Sequence, residues 1–385
     1  MLMGWGGYGI ALAGGLLLAV TLLDIFTTAF HPTAESAMSG YFYRVVWYLA
    51  ARLSRLLPPR AGRWLLSWAF PSMVAGLLVL WILALLVGFA LFYAPSMGRP
   101  GAFVSSIGRL TWSNALYLSG MCLTSIGFGD IVPREGILRA AAVAEGLCGL
   151  LVVGVSITYV LAVSPVLPLL RVVAATLNEE TNGHVHAVPL VRRYLAVDAA
   201  EVLAQRCREL ATQLMVLAEG HTSHPVLFYA HPRRVEHSFL RVLVVSQQLI
   251  ALLRYGVRRA DFPALVRDPR VVGLEEGFIA IVRQLGSSLH LNLRPTTDGA
   301  DDEALGKQFD NLAALLRQAR LRGDDPPTPA ERHAYVRFCL VTDPYISAYA
   351  ANTAYSTEEL WADHVPFSGS TAPLVEDDEE DAPHA

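Results

Sequence analysis

The sequence predicts an all-α membrane protein, and three observations predict it. Of 385 residues, 53% are hydrophobic and 17% charged, with a mean hydropathy of +0.40, too apolar for a water-soluble protein of this length. Long uncharged runs lie before about residue 165. Beyond that point apolar residues recur at helical spacing among charged ones, the pattern of a helical domain in water. A membrane zone is therefore followed by a soluble one.

Tyr8 to Phe30 supplies about 23 residues, enough to cross the hydrocarbon core as a helix, with Asp24 as its one charge. A cleaved signal peptide is the competing reading; the absence of Lys or Arg ahead of the apolar stretch favours a permanent helix. From Tyr41 to Leu57, Val45, Tyr48, Leu49, Leu53 and Leu56 repeat at helical spacing with Arg44, Arg52 and Arg55 on other faces, and Pro58-Pro59 ends the segment. That is an interfacial helix. A voltage sensor needs a long file of arginines at every third position, and here Arg52 and Arg55 alone keep that spacing.

Ser72 to Ala94 is uncharged over roughly 35 Å of helix and predicts a second span. Thr111 to Cys122 is long enough for a short helix and too short to cross. Ile137 to Val163 predicts the third span, carrying Arg139 near its start and Glu145, before Pro165 and Pro168 break it. Five arginines, Arg44, Arg52, Arg55, Arg60 and Arg63, crowd the connection between the first two spans, which places that connection and everything after about residue 165 in the cytoplasm.

In the soluble zone Leu203, Cys207, Leu210, Leu214 and Leu217 alternate steps of four and three, and Val235, Phe239, Val242, Leu249 and Leu253 mark another apolar face. Arg241, Gln247, Gln248 and Arg254 interrupt the second run, which argues against a fourth span. Thr328-Pro329-Ala330-Glu331 is a capping box with proline at the first helical position. The acidic run Glu376 to Asp381 predicts a disordered, solvated tail. The expected division is 1–71 for the first span and interfacial helix, 72–165 for the two-span core, 166–370 for the helical cytoplasmic domain and 371–385 for the tail.

Between the second and third spans stands Thr124-Ser125-Ile126-Gly127-Phe128-Gly129-Asp130. Successive backbone carbonyls can be turned toward one axis only if some residues accept positive φ, and Gly127 and Gly129 offer that freedom on either side of Phe128. Such a carbonyl ring replaces the hydration shell of a cation. The short helix upstream would aim the negative end of its dipole at the same place. The carbonyls of Ser125, Ile126, Gly127 and Phe128 form the expected coordinating set, with the Ser125 hydroxyl below them, Thr124 beginning the segment and Gly129 closing it. The side chains of Ile126 and Phe128 are expected to point away and brace it.

This arrangement resembles the pore domain of the potassium-channel superfamily, whose signature is Thr-Val-Gly-Tyr/Phe-Gly-Asp, over roughly Ser72 to Val163. The resemblance implies an all-α, tetrameric channel pore, here with an extra N-terminal membrane helix and a helical cytoplasmic domain. Ser125 stands where the family's filter threonine usually is, keeping the hydroxyl and losing the methyl. Asp130 is the family's filter aspartate, and Tyr117 matches the pore-helix position that often donates a hydrogen bond to it. Gly149, twenty residues on from Gly129, matches a glycine at which inner helices of the family often bend; close helix packing is the alternative. Asp24 and Glu145 are intramembrane acids and so functional candidates, with a structural bond to a neighbour as the alternative.

The resemblance further implies potassium ions at the filter carbonyls, with no cofactor and no structural metal site. One filter per chain, with no internal repeat, implies a homotetramer in the cell membrane of a bacterium, surrounded by lipid. A net charge of −4 leaves no basic surface for nucleic acid. No GxGxxG opens a helix after residue 165, no enzyme motif is evident, and the gating ligand stays open. His221, His224 and His231 cluster around a proline-containing loop, suited to metal binding or pH sensing, or simply exposed. Two rival functions stand beside the selective channel: a poorly selective cation channel, which rests on Ser125, and a non-conducting membrane-anchored signalling protein.

Overall fold

The computed structural model describes residues 5–30, 37–258, 260–289, 291, 293 and 299–355; the acidic run and the expected tail lie outside them. The chain forms two compact units, Met1–Pro168 with Gly220–Arg233, and Leu169–Glu219 with Arg234–Ala385. The first break between them falls after Pro168. The inclusion of Gly220–Arg233 in the first unit was not expected, because nothing local in a sequence says where a chain returns.

In the first unit, α1 (Trp5–Phe30), α2 (Ala37–Ser54) and α3 (Pro59–Tyr93) pack together, followed by α4 (Trp112–Leu123) and α5 (Gly136–Val163). The helix α3 starts at Pro59, ahead of the expected Ser72, with Pro59 at the first helical position where its missing N–H costs nothing, and it runs through Pro71. Its buried residues Met73, Leu77, Trp81, Leu85 and Phe89 recur every fourth position and form one stripe toward its neighbours. On α2 the packed face is Ser39, Tyr43 and Trp47, while Val45, Tyr48, Leu49 and Leu53 are exposed in the single chain, as a helix at a lipid interface requires.

Asp24 is buried and joins three helices. Its Oδ1 accepts from the backbone N–H of Met38 at 3.0 Å and of Ser39 at 3.1 Å, and its Oδ2 accepts from the Ser39 hydroxyl and from Trp81 Nε1 at 2.9 Å. An acid from α1 thus caps the unpaired N–H groups that begin α2, and at the same time holds the indole of α3. Its place in the membrane follows from that structural duty. Asp24→Ala leaves a buried indole N–H and the α2 terminus unpaired, at a cost of about 3 kcal/mol. The detergent-solubilised variant is expected to melt well below wild type, with Asp24→Asn between the two. A melting curve for Asp24→Ala that overlays wild type would remove this assignment.

A two-stranded antiparallel ladder, β1 (Phe103–Ser105) with β2 (Ile131–Pro133), joins the chain before α4 to the chain after the Thr124–Asp130 segment. It is extended by Ser106 N–H to the Asp130 carbonyl at 3.0 Å and Arg134 N–H to the Ala102 carbonyl at 2.8 Å. Three-residue strands carry too little alternation to be read in advance. Between α5 and α6 (Val166–Glu180) the helix is interrupted at Ser164 and Pro165, close to the expected break, whereas Pro168 sits inside the first turn of α6.

The second unit contains α7 (Val188–Leu195), α8 (Ala200–Ser223, apart from its last turn), α9 (Phe239–Ala251), α10 (Pro263–Val266), α11 (Pro269–Ser288), α12 (Gly299–Gln318) and α13 (Pro329–Asn352). Leu203, Cys207, Leu210, Leu214 and Leu217 are all buried, as the spacing predicts. Arg206 reaches Glu180 with two parallel bonds of 2.7 and 3.0 Å, tying α8 to α6. The expected run from Val235 is divided: Ser238 caps α9 by accepting from Arg241 N–H, and Val235 lies in a separate 3-10 turn. Thr328 and Glu331 form the expected capping box at the start of α13.

By length and composition four helices among the described residues could cross a membrane, at Gly6–Ala29, Pro59–Ser96, Gly136–Glu180 and Phe239–Gly256. The fourth is 83% buried inside the protein, where protein neighbours take the place of lipid. Its Gln247 donates to Thr342 Oγ1 at 2.7 Å, so a polar side chain that would be costly in lipid is satisfied. The chain is an all-α membrane protein with a small β ladder.

Candidate functional site

The last turn of α4 leads directly into the glycine segment. Thr111 precedes α4, and Asn114 Oδ1 accepts from the Thr111 N–H at 2.6 Å, which fixes where the helix begins. At the other end Thr124 N–H bonds the Gly120 carbonyl at 3.1 Å, Ser125 N–H that of Cys122 at 3.1 Å, and Ile126 N–H that of Met121 at 3.2 Å. These bonds splice the start of the segment onto the helix, so the orientation of α4 sets the orientation of the Thr124–Ile126 backbone.

From there the backbone alternates. Ser125 has φ +57°, Gly127 +57° and Gly129 +78°, while Ile126 and Phe128 between them do not take positive φ. The two glycines take the left-handed region as the sequence predicts. Ser125 takes it too, a feature no residue type announces, since serine bears a Cβ that resists positive φ. Positive φ at intervals is the freedom that turning successive carbonyls toward one axis requires. In the single chain the side chains of Ile126 and Phe128 are exposed, at 59% and 73%.

The Tyr117 hydroxyl donates to Asp130 Oδ2 at 2.6 Å, joining the middle of α4 to the far end of the segment. With the β ladder beyond Asp130, the loop is held at both ends. The acid Glu145 of α5 is fully buried, accepts from the Tyr93 hydroxyl at 2.9 Å on Oε2 and from the Ser119 hydroxyl on Oε1. Neither partner was expected. The signal was present: a carboxyl in an apolar helix needs donors, and Tyr93 and Ser119 are hydroxyls set in neighbouring apolar runs.

At Gly149 an added Cβ would lie 1.9 Å from the Leu123 carbonyl oxygen, so α5 passes directly against the end of α4. The helix is continuous through this position. Close packing accounts for the glycine without a bend.

The three histidines do not form an exposed loop cluster. His221 and His231 are buried, His231 beside the Trp47 ring at 6.4 Å, and the His224 ring stands edge-on to Tyr159 at 6.1 Å. Among the described residues no three His, Cys, Asp or Glu side chains converge as metal ligands.

Residues 76–164 match the family model described as ion channel. The resemblance read from the sequence over Ser72 to Val163 is thereby shown over nearly the same residues. Over 317 residues the chain is 23% identical to the uncharacterized membrane protein YdjJ of Bacillus subtilis (strain 168), covering 80% of this chain and 87% of the relative. Protein LctB of Bacillus caldotenax is 39% identical and that of Geobacillus stearothermophilus 38% identical, each over 88 residues that make up 21% of this chain and 65% of the relative. No solved structure matches the chain.

Proposed function

We propose that this chain, an ion-channel-type membrane protein by its residues 76–164, is one subunit of a homotetrameric potassium-selective channel. The observation that carries the reading is the alternating backbone of Ser125, Gly127 and Gly129, spliced to the C-terminus of α4. In this reading four copies bring the Ser125 to Phe128 carbonyls around one axis, and potassium exchanges its water for them at little net cost. Thr124 and Gly129 bound the path. Tyr117 and Asp130 hold its outer end, and the exposed Ile126 and Phe128 side chains meet neighbouring copies. The carbonyl ends of the four α4 helices favour the cation on its way.

The arginine-rich α2 and the connection to α3 face the cytoplasm, and the second unit with them. That unit biases the pore between two states. Purified protein in liposomes tests the whole reading: a potassium gradient drives flux, and a sodium gradient much less. Equal flux of both ions would favour the poorly selective channel, and no flux the signalling protein.

Ser125→Thr keeps the hydroxyl and restores a methyl at a left-handed position. The backbone cost of a β-branched residue there is about 1 kcal/mol above serine, small against a segment bonded at both ends. Conduction is expected to persist, with potassium preference unchanged or raised in a bi-ionic flux measurement. A switch to sodium preference would contradict the placement of this hydroxyl beside the ion path.

A further inference from the structure

We propose that Glu145 is a positioning residue for ion selection, tying the end of the pore helix α4 to the outer helix α3 and the inner helix α5 and so setting the filter backbone. The proposal rests on the reading of residues 124–129 as the filter.

Glu145 is wholly buried in an apolar helix, where an acid without partners would be strongly unfavourable. Both of its oxygens are engaged, and each by a different helix: Tyr93 from α3 at 2.9 Å and Ser119 from α4. Ser119, also fully buried, lies 2.8 Å from the Leu86 carbonyl of α3, so one hydroxyl meets acceptors on both neighbours of the pore helix. On α4 these bonds meet at Ser119, the residue immediately before Gly120, Met121 and Cys122, whose carbonyls hold the N–H groups of Thr124, Ile126 and Ser125. One turn after Glu145, on the same face of α5, Gly149 abuts the Leu123 carbonyl. The inner helix thus grips the last two turns of α4 at two successive points, one polar and one steric. Whatever moves α5 moves the carbonyls that begin the filter.

Glutamine in place of Glu145 keeps an acceptor for Tyr93 and offers an amide donor to Ser119, whose own hydrogen can go to Leu86. Alanine leaves the buried Tyr93 hydroxyl without its acceptor, frees Ser119 to bond Leu86 alone and opens a space, a loss equivalent to about tenfold or more in any equilibrium that depends on the tie.

Two readouts on the full-length tetramer test this: the potassium-to-sodium flux ratio in liposomes, and amide hydrogen exchange of the peptide covering Thr124 to Ile126. Glu145→Ala is expected to speed exchange by at least about tenfold and to lower the flux ratio by a similar factor, while Glu145→Gln stays within about threefold of wild type on both. Wild-type values for Glu145→Ala would overturn the proposal. So would Glu145→Gln behaving like Glu145→Ala, because hydrogen bonding would then not be the tie. Tyr93→Phe removes the bond to Oε2, and Ser119→Ala removes the contacts to Oε1 and to the Leu86 carbonyl; both leave the carboxyl, so they decide the matter if Glu145→Ala does not fold, with intermediate exchange supporting the tie and unchanged exchange overturning it. A wild-type protein that passes no ion would sink the channel reading by itself, and the exchange measurement would still show whether Glu145 holds the 124–126 amides.

Discussion

Liposomes carrying the Gly127→Ala protein are expected to show no potassium flux under a gradient that empties wild-type vesicles. Gly127 has φ +57°, and nothing lies within 4 Å of the position an added Cβ would take, so the penalty is conformational rather than steric crowding by neighbours. An L-residue in the left-handed region costs about 1–2 kcal/mol, and a homotetramer bears that cost four times around one axis. The cheapest relief is to rotate the peptide on either side of residue 127, which swings a carbonyl off the axis. One displaced ring is enough to interrupt a queue of ions that must find a ligand at every step. The protein itself is expected to assemble, because the substitution touches no packed surface. Gly127→Ala tetramers that pass potassium with normal selectivity would disprove the carbonyl ring.

The glycines of this segment were legible because a backbone requirement leaves a mark in residue type; Gly127 and Gly129 are where a Cβ would be costly. Ser125 shares their hand and shows no such mark, since a single serine at positive φ is held there by its surroundings, here the bonds of Ser125 and Ile126 to the last turn of α4. The helix α4 was readable to within a residue, expected at Thr111 to Cys122 and found at Trp112–Leu123, because the length of a short run is a local property. The N-terminal turns of α3 were not, because the uncharged run that marks a span begins only at Ser72, whereas the helix itself starts at Pro59 and runs through Pro71. Intramembrane Asp24 and Glu145 were visible as anomalies, but their partners lie in other helices, at sequence distances that no period reveals. The same limit hid the return of Gly220–Arg233 to the first unit.

That return changes what truncation is expected to do. A chain ended after Arg171 retains α1 to α5 and the whole filter, so it is expected to form tetramers and to prefer potassium. It loses Gly220–Arg233, and with it the ring of His224 on Tyr159 of α5 and the ring of Tyr229 on Trp47 of α2, at 6.1 and 5.3 Å. Tyr159 is also within 3.0 Å of the Tyr43 hydroxyl of α2, so these rings cover the point where the inner helix meets the interfacial one. Aromatic pairs of this kind contribute roughly 0.5–1.5 kcal/mol each beyond their buried area. If the two contacts differ between open and closed pores, their removal shifts the open-to-closed ratio by about tenfold, and a domain can bias a pore by no more than such differential contact. Two results are therefore expected of the truncated protein in single-channel records: unchanged selectivity and a changed open probability. Full-length protein carrying His224→Ala and Tyr229→Ala is expected to move open probability in the same direction, because these two substitutions remove the same ring contacts on α5 and α2. Truncated channels that gate like full-length ones under every condition would assign the second unit to assembly or partner docking instead, and truncated chains that form no tetramers would make assembly its primary role.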